Sequence, residues 1–571
     1  MQSLSKLRFS LILAVHVESS HCSVQFCCIY SLTMELFQDI PQVIQAEILC
    51  QWLTQREVTR LDSALCSKTI RPLFLSVLGG DCVFSSLDTE YEDQTDWVIL
   101  RNIKVKNIVL RHCTQAPIRE NLLRSVSQSL TQIHLCTEDF DEEHESSIPP
   151  VRVDDTFFDI ALLCPMIQDL TAWHVIATSC LNLVILKCTQ LKSLSLRYCT
   201  GIESKTIKSI CSAPNLEELD LAYSRLDLHA ADLSVYKSES VLKLYVYNAK
   251  LSREGRAKLL SCFPLIFEMC IAPVCGDDLV TIAGLCPCMK DTNLTLDEAL
   301  TEENAVLLCK QWPQIELLQL QRERSSEVVC SEQVMLILLK GCPQLLKLSV
   351  CTLDFPHGKE HLYYSSTSTS SVSASNTVTS KSATASKVTD LFLESATAAT
   401  LSIILTLCPQ LNTFAIRHST LINPPRTVLT DQQRAAEYSL SSLNHPTCSV
   451  RKLHLHNIRS LAGVDLLSLT GLEELQLSNI GPHLRNEDVR NVVKNNPNLR
   501  NISLYNCQQL RGYSLILSLL KLCPALHTFN FTECDALRTE DKSRSFSTAI
   551  AVIEDMIRDG YPNIKKVNIK L

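Results

Sequence analysis

Along most of the chain the apolar residues recur in one short pattern, L-x-x-L-x-L, which returns at nearly constant intervals. Aligned on a proline and the leucines after it, Ala213-Pro-Asn-Leu-Glu-Glu-Leu-Asp-Leu221, Cys342-Pro-Gln-Leu-Leu-Lys-Leu-Ser-Val350 and Cys408-Pro-Gln-Leu-Asn-Thr-Phe-Ala-Ile416 are copies of one unit. Asn496-Pro-Asn-Leu-Arg-Asn-Ile-Ser-Leu504 and Cys523-Pro-Ala-Leu-His-Thr-Phe-Asn-Phe531 repeat it, and Leu191-Lys-Ser-Leu-Ser-Leu196 keeps the leucine part alone. In L-x-L the leucines point to one side and the intervening residue to the other, as a strand requires. Strands are predicted near residues 108, 133, 170, 194, 219, 244, 269, 292, 318, 348, 391, 414, 453, 475, 502, 529 and 567. Between them lie helix-patterned stretches such as Asp277–Leu285, Glu303–Lys310 and Glu332–Lys340. Each runs up to the next proline, which ends a helix because it cannot continue it.

Twelve of the sixteen intervals are 22 to 30 residues long. A unit of that size cannot bury its own apolar face, so neighbours must stack, with a parallel sheet on one side and a row of helices on the other. The pattern L-x-x-[LI]-x-L-x-x-C runs from Leu191 to Cys199 and from Leu499 to Cys507, with a looser copy from Leu526 to Cys534. These strings resemble the cysteine-containing leucine-rich repeats. The resemblance implies an α/β leucine-rich-repeat solenoid, or horseshoe, over residues 101–571. The four long intervals, after 133, 348, 414 and 529, read as loop excursions at its rim. The first holds the acidic run Glu138–Glu145. The second holds a Ser/Thr-rich insertion near 360–387, which has almost no bulky apolar side chain to offset its ordering entropy and is expected to be disordered. It reads as a neutral insertion or as a phosphorylation loop.

The first hundred residues do not follow the repeat. Residues 1–33 are expected to be a disordered or spurious extension. Lys6 and Arg8 before Phe9–Val15 imitate a secretory signal, but His16 and Glu18 follow without a small-x-small cleavage site. Residues 34–80 form a compact helical module, with Ile44, Ile48, Leu49, Trp52 and Leu53 at helical spacing and Pro41 suited to a first turn. Residues 81–100 are read as a connector or first cap. The module resembles an F-box, a family that opens on an L-P pair, continues through I-[FL]-x-x-L and [DE]-L, and ends near V-C-[KR]-x-W. Ile40-Pro41, Ile48-Leu49, Leu53, Glu57-Val58, Leu61 and Leu65-Cys66 fall at comparable places. Val43 stands for the usual acid, the spacing gains a residue, and Thr69 and Ile70 stand where the tryptophan would be. The resemblance implies that Pro41, Ile48, Leu49 and Leu61 face an adaptor protein, and that the adaptor and a cullin scaffold are partners. The alternative is a plain helical cap on the first repeat.

Composition narrows the function classes. The chain has 571 residues and a net charge of −8, which gives no general field for nucleic acid. Only 13 glycines occur, and neither G-x-G-x-x-G nor G-x-x-x-x-G-K-[ST] is present, so nucleotide enzymes are disfavoured. No apolar run reaches the ~18 residues of a membrane span. The 27 cysteines sit beside prolines or after leucine-rich strings, as buried small hydrophobes do, and are read as reduced thiols of a cytoplasmic or nuclear protein. Cys270, Cys275, Cys286 and Cys288 are the nearest approach to a zinc cluster, but paired C-x-x-C knuckles are lacking. His454 and His456 share one face of a strand and are read as ordinary polar positions rather than metal ligands.

No catalytic constellation is found: G-x-S-x-G and H-E-x-x-H are both absent. The chain is expected to bind rather than catalyse, without metal or cofactor. Residues between and just after the strand leucines face the concave side of the sheet. Arg197, Tyr198, Tyr223, Tyr245, Tyr247, Arg417 and Tyr505 are the candidate partner-binding residues, because tyrosine and arginine offer wide contact with few rotors or several fixed donors. Together with the F-box resemblance, this implies the substrate-recognition subunit of an SCF-type ubiquitin ligase with an unknown protein substrate. The alternative is a repeat scaffold with no ligase link.

Overall fold

Each of the seventeen strands that the leucine pattern predicts is present. The structure is a computed structural model that describes residues 58, 59, 62, 70–136, 150–322, 330–352, 386–416, 450–534 and 564–570, apart from short breaks inside these spans. The loops of the four long intervals, residues 1–57 and most of the 360–387 insertion lie outside the described residues. The chain divides into two units, residues 1–266 and 267–571.

In the first unit the main sheet comprises β1 (Leu87–Asp88), β2 (Asn107–Arg111), β3 (Gln132–Cys136), β4 (Asp169–Trp173), β5 (Ser193–Arg197), β6 (Glu218–Asp220) and β7 (Lys243–Val246). Neighbours in sequence are neighbours in the sheet, and every pair is parallel. Leu87, Ile108, Ile133, Leu170, Leu194, Leu219 and Leu244 stand in one register row, all buried. Residues 81–100, read as a connector or first cap, supply β1 and most of a helix, so the sheet begins ahead of the first strand that the leucine pattern marks. Leu87-Asp88 is too short to show a leucine period, yet its backbone completes the ladder to Ile108. The helices are α1 (Ile70–Gly80), α2 (Glu92–Arg101), α3 (Ala116–Val126), α4 (Asp154–Leu163), α5 (Ser179–Lys187), α6 (Ser204–Cys211) and α7 (Arg253–Ser261).

The second unit repeats the plan with β8 (Glu268–Val274), β9 (Asp291–Leu296), β10 (Leu317–Arg322), β11 (Lys347–Thr352), β12 (Asp390–Leu393), β13 (Thr413–Ile416), β14 (Lys452–His456), β15 (Glu474–Ser478), β16 (Asn501–Tyr505), β17 (Thr528–Thr532) and β18 (Lys566–Lys570). These too are parallel and in chain order. Its helices are α8 (Gly276–Leu285), α9 (Glu302–Gln311), α10 (Glu332–Gly341), α11 (Ala398–Leu407), α12 (Asn486–Asn495) and α13 (Tyr513–Leu522). Ser252, Thr301 and Ser331 cap helix starts by accepting from backbone N–H groups at 3.1–3.2 Å. Each unit is a stack of leucine-rich repeats. Among the described residues, no helix is long and apolar enough to cross a membrane.

Two features of the backbone make the stack continuous. Before each strand, one carbonyl accepts from two successive N–H groups of the next repeat: Gln168 O from Lys192 and Ser193, Lys192 O from Glu217 and Glu218, Glu473 O from Arg500 and Asn501. After the strand, the residue four past the first inward side chain takes a positive φ. This holds at His174, Tyr198, Tyr223, Asn248, Asn479 and Asn506. In five of these its N–H reaches a carbonyl of the next repeat, as Tyr198 does to Ala222 and Tyr223 to Tyr247. The residue after that is the cysteine of the sequence pattern. Cys199, Cys507 and Cys534 are buried, and each thiol donates to a strand carbonyl of the preceding repeat: Ala172 at 3.3 Å, Leu477 at 3.6 Å and Leu504 at 3.8 Å. Ser224 holds the same place, donating to Leu196 O and accepting from the Cys199 N–H at 2.9 Å. At these repeats a small side chain with one donor serves the buried carbonyl, whereas Val175, Ala249 and Ile480 hold the same place as apolar residues elsewhere.

The described part of the amino-terminal module turns toward the first repeat. Asp62, almost fully buried, accepts from Trp97 Nε1 at 2.8 Å and Arg101 Nε at 2.9 Å, and pairs with Arg71 at 3.4 Å. Val58, Phe74, Val77 and Leu78 are buried as well.

We expect Ser224→Ala to cost about 1–3 kcal/mol in urea unfolding, because a buried N–H and a buried carbonyl both lose their partner. Ser224→Cys, which copies the other repeats, should cost much less. An equal loss in both variants would count against the hydrogen-bond account. The insertion also has a sharper boundary than its composition shows. Ser386 is buried and donates its N–H to Leu407 O at 2.7 Å, and Lys387 reaches Gln344 at 2.8 Å. Deletion of residues 360–385 should therefore leave the melting curve within a few degrees of the parent. Loss of a cooperative melt would show that the segment contributes to the core.

Candidate protein-binding face

Alternation along the strands leaves one face of each sheet free of helices, and in the first unit that face ends in a row of tyrosines. Tyr245 alternates with the buried Leu244 and Val246 on β7 and is half-buried. Tyr198, Tyr223 and Tyr247 follow the ends of β5, β6 and β7. The rings of Tyr198 and Tyr223 stack at 4.6 Å and 13°, and Tyr223 meets Tyr247 edge-on at 5.4 Å and 67°. The repeat spacing makes the row: residues at one register position lie about 4.8 Å apart across a sheet, a separation that suits ring stacking. His174 occupies the same place one repeat earlier, where burial lowers its pKa and favours the neutral imidazole.

Beside the rings runs an ionic pair. Arg197, at the end of β5 with its side chain 45% exposed, contacts the carboxylate of Asp220 at 2.5 Å. Asp220 is buried; it also accepts from Ser195 Oγ at 3.4 Å and from the Ala222 N–H at 3.0 Å. Burial acts to lower the Arg197 pKa, but the charge and hydrogen bond of Asp220, with Tyr198 and Tyr223, together raise it, so the guanidinium stays charged. The result is a rigid surface of aromatic faces, phenol groups and one oriented cation. Such a surface binds through area and a few fixed donors.

Of the residues expected from sequence, five come together here: Arg197, Tyr198, Tyr223, Tyr245 and Tyr247. Tyr505 is 39% exposed at the end of β16 and belongs to the second unit. Arg417 lies outside the described residues, as do Pro41, Ile48, Leu49 and Leu61. The positive φ of Tyr198 (57°) and Tyr223 (61°) was not legible in sequence. Bulky residues avoid that region, and the asparagines at 248, 479 and 506 are the type expected there. Also unforeseen was the carboxylate partner of His454. Glu474 sits 3.0 Å from its Nε2, and that hydrogen bond holds the Glu474 carboxyl below its ordinary range. Cys270, Cys275, Cys286 and Cys288 occupy β8 and the two ends of α8. Among the described residues, no group of three or more His, Cys, Asp or Glu is placed to hold a metal ion.

The geometry has distant counterparts among solved structures. The chain is similar to the TLR13–ssRNA13 complex, at 13% identity and a TM-score of 0.40 over 86% of this chain and 55% of that one. It spans just over half of the TLR13 chain. It is similar to the yeast Rad7–Elc1 complex at 13% identity and a TM-score of 0.35, over 86% of this chain and 95% of that one. A leucine-rich-repeat protein of Leptospira interrogans matches at 13% identity and a TM-score of 0.36, over 87% and 97%. No family model and no curated protein sequence matches the chain.

Replacing Tyr198 or Tyr223 by asparagine removes a stacking contact of about 0.5–1.5 kcal/mol and relieves a backbone cost of about 1–2 kcal/mol. The two nearly cancel, so we expect each variant to stay within about 1 kcal/mol of the parent in denaturant unfolding. A loss of several kcal/mol would make the tyrosines part of the core rather than of a surface.

Proposed function

We propose that the chain is a non-enzymatic protein-recognition subunit that holds its partner on the open sheet face of the first unit. The observation that carries this reading is the Tyr198–Tyr223–Tyr247 row beside Arg197. Stacked tyrosines in a conformation that tyrosine avoids do not serve the backbone, which asparagine would serve better. They supply a wide contact surface at low entropic cost, as interface anchors do. The finer reading joins this face to the F-box resemblance of residues 34–80: the chain selects a protein substrate for an SCF-type ubiquitin ligase, with Pro41, Ile48, Leu49 and Leu61 toward the adaptor and cullin. The cysteines described are free thiols, which suits a cytoplasmic or nuclear chain.

One observation favours the simpler reading of a repeat scaffold with a helical cap. Val58, Phe74 and Leu78 are buried, and Asp62 accepts from Trp97 and Arg101 beside the first repeat, as in a cap.

Adaptor capture distinguishes the two. In the ligase reading the full-length chain at micromolar concentration retains the adaptor, and Ile48→Asp with Leu49→Asp abolishes retention while the repeats melt as before. In the scaffold reading the wild-type chain retains no adaptor, and the same charges, buried without partners, destabilise the first repeats by roughly several kcal/mol.

A further inference from the structure

Most of the described cysteines are spent on the core. Cys199 and Cys286 are buried, and burial pushes each thiol up to about 12, where it is a poor nucleophile. Cys507 and Cys534 are buried with their thiols donating to strand carbonyls. A pair in the second unit brings two thiols into contact, as Cys211 and Cys262 do in the first. Cys309 lies in the last turn of α9 and is half-buried; Cys342 caps the C-terminus of α10 in the next repeat and is 1% exposed. Their sulfurs are 3.4 Å apart, with the Cys342 thiol donating to Cys309 Sγ.

The backbone makes room for this contact. Residue 341 is glycine, and a Cβ there would stand 2.6 Å from Cys309 Sγ and 2.8 Å from Cys309 Cβ. A side chain at 341 would displace the Cys309 thiol from its present place. A disulfide needs about 2.05 Å between sulfurs, so the two sulfurs must still approach by about 1.3 Å.

We propose that Cys309 and Cys342 form an oxidative modification site, in which a hydroperoxide converts the two thiols to a disulfide that staples neighbouring repeats. Cys309 Sγ, as thiolate, attacks the O–O bond of the hydroperoxide. The S–O bond forms as O–O breaks, and the departing oxygen takes a proton and leaves as alcohol, or as water from hydrogen peroxide. Cys342 Sγ then attacks the Cys309 sulfenic acid. The S–S bond forms, the S–O bond breaks, and the hydroxyl leaves as water with the Cys342 proton. Two thiols lose two electrons in all, and the hydroperoxide is reduced by two.

The division of roles follows from the environments. The hydrogen bond from Cys342 lowers the Cys309 pKa against the opposing effect of burial, while Cys342 is held high as the donor. A partly accessible thiol with a lowered pKa and a second thiol poised behind it is the arrangement that captures a sulfenic acid before further oxidation.

The test uses the full chain, treated with a small excess of hydrogen peroxide, alkylated and digested with trypsin without reduction. Cleavage after Lys290, Lys310, Lys340 and Lys347 places Cys309 alone in peptide 291–310 and Cys342 alone in peptide 341–347. We expect these two peptides to be joined, in at least about ten-fold excess over cross-links between cysteines that are not thiol neighbours, and to separate on reduction. In Cys342→Ser, Cys309 should accumulate as a sulfenic acid that dimedone traps. Cys309 oxidised to sulfinic or sulfonic acid in the wild type while Cys342 remains a thiol would overturn the proposal. So would a Cys309 thiol that survives the peroxide untouched.

Discussion

Everything in this protein depends on handing each backbone hydrogen bond to the next repeat. A parallel strand presents its N–H and C=O groups sideways, and here every partner belongs to a neighbour roughly 25 residues away. The ladder does not stop where the strand stops. It is carried on by one carbonyl shared between two N–H groups before each strand, and by the left-handed residue after it. Where the chain then turns into the interior, the backbone can no longer reach across, and the thiol of Cys199, Cys507 or Cys534 or the hydroxyl of Ser224 takes over. An unpaired buried carbonyl would cost about 1–3 kcal/mol each time, so the small donor at this corner matters in every repeat that uses it.

The same constraint shapes the binding face. The left-handed position exists because the ladder needs it, and asparagine would satisfy it, as at Asn479 and Asn506, whose side chains also bond each other at 2.7 Å. In the first unit the position holds tyrosine twice. Because the repeats are stacked at the sheet spacing, two such tyrosines must lie ring on ring. A position imposed by backbone geometry thus becomes a rigid aromatic surface, and Arg197 beside it is fixed by a carboxylate that is itself held by backbone and hydroxyl donors.

Cysteine is used in this chain for its size more than for its reactivity. At the corner after the strand and at helix ends such as Cys164 and Cys188 it fills a small buried space with a weak donor, and burial raises its pKa. Cys309 departs from this pattern because Gly341 lets a helix end approach closely while the Cys309 side chain keeps part of its surface open.

The strand positions, the parallel order of the sheet and the helix ends at proline were legible in the sequence, because L-x-x-L-x-L states which side chains a strand buries and the repeat interval states where the next strand lies. The tyrosines were legible as candidates by type and by their place beside the leucines. Their stacking, the positive φ of Tyr198 and Tyr223, and the pairing of Arg197 with Asp220 were decided by the stack, since each joins residues about 25 positions apart whose contact depends on register rather than on local pattern. The first strand at Leu87 and the retention of Ser386 and Lys387 in a repeat were likewise settled by pairing with a neighbour, not by their own composition. Sequence determined the unit; only the contact of one unit with the next decided which of its surface residues form a site.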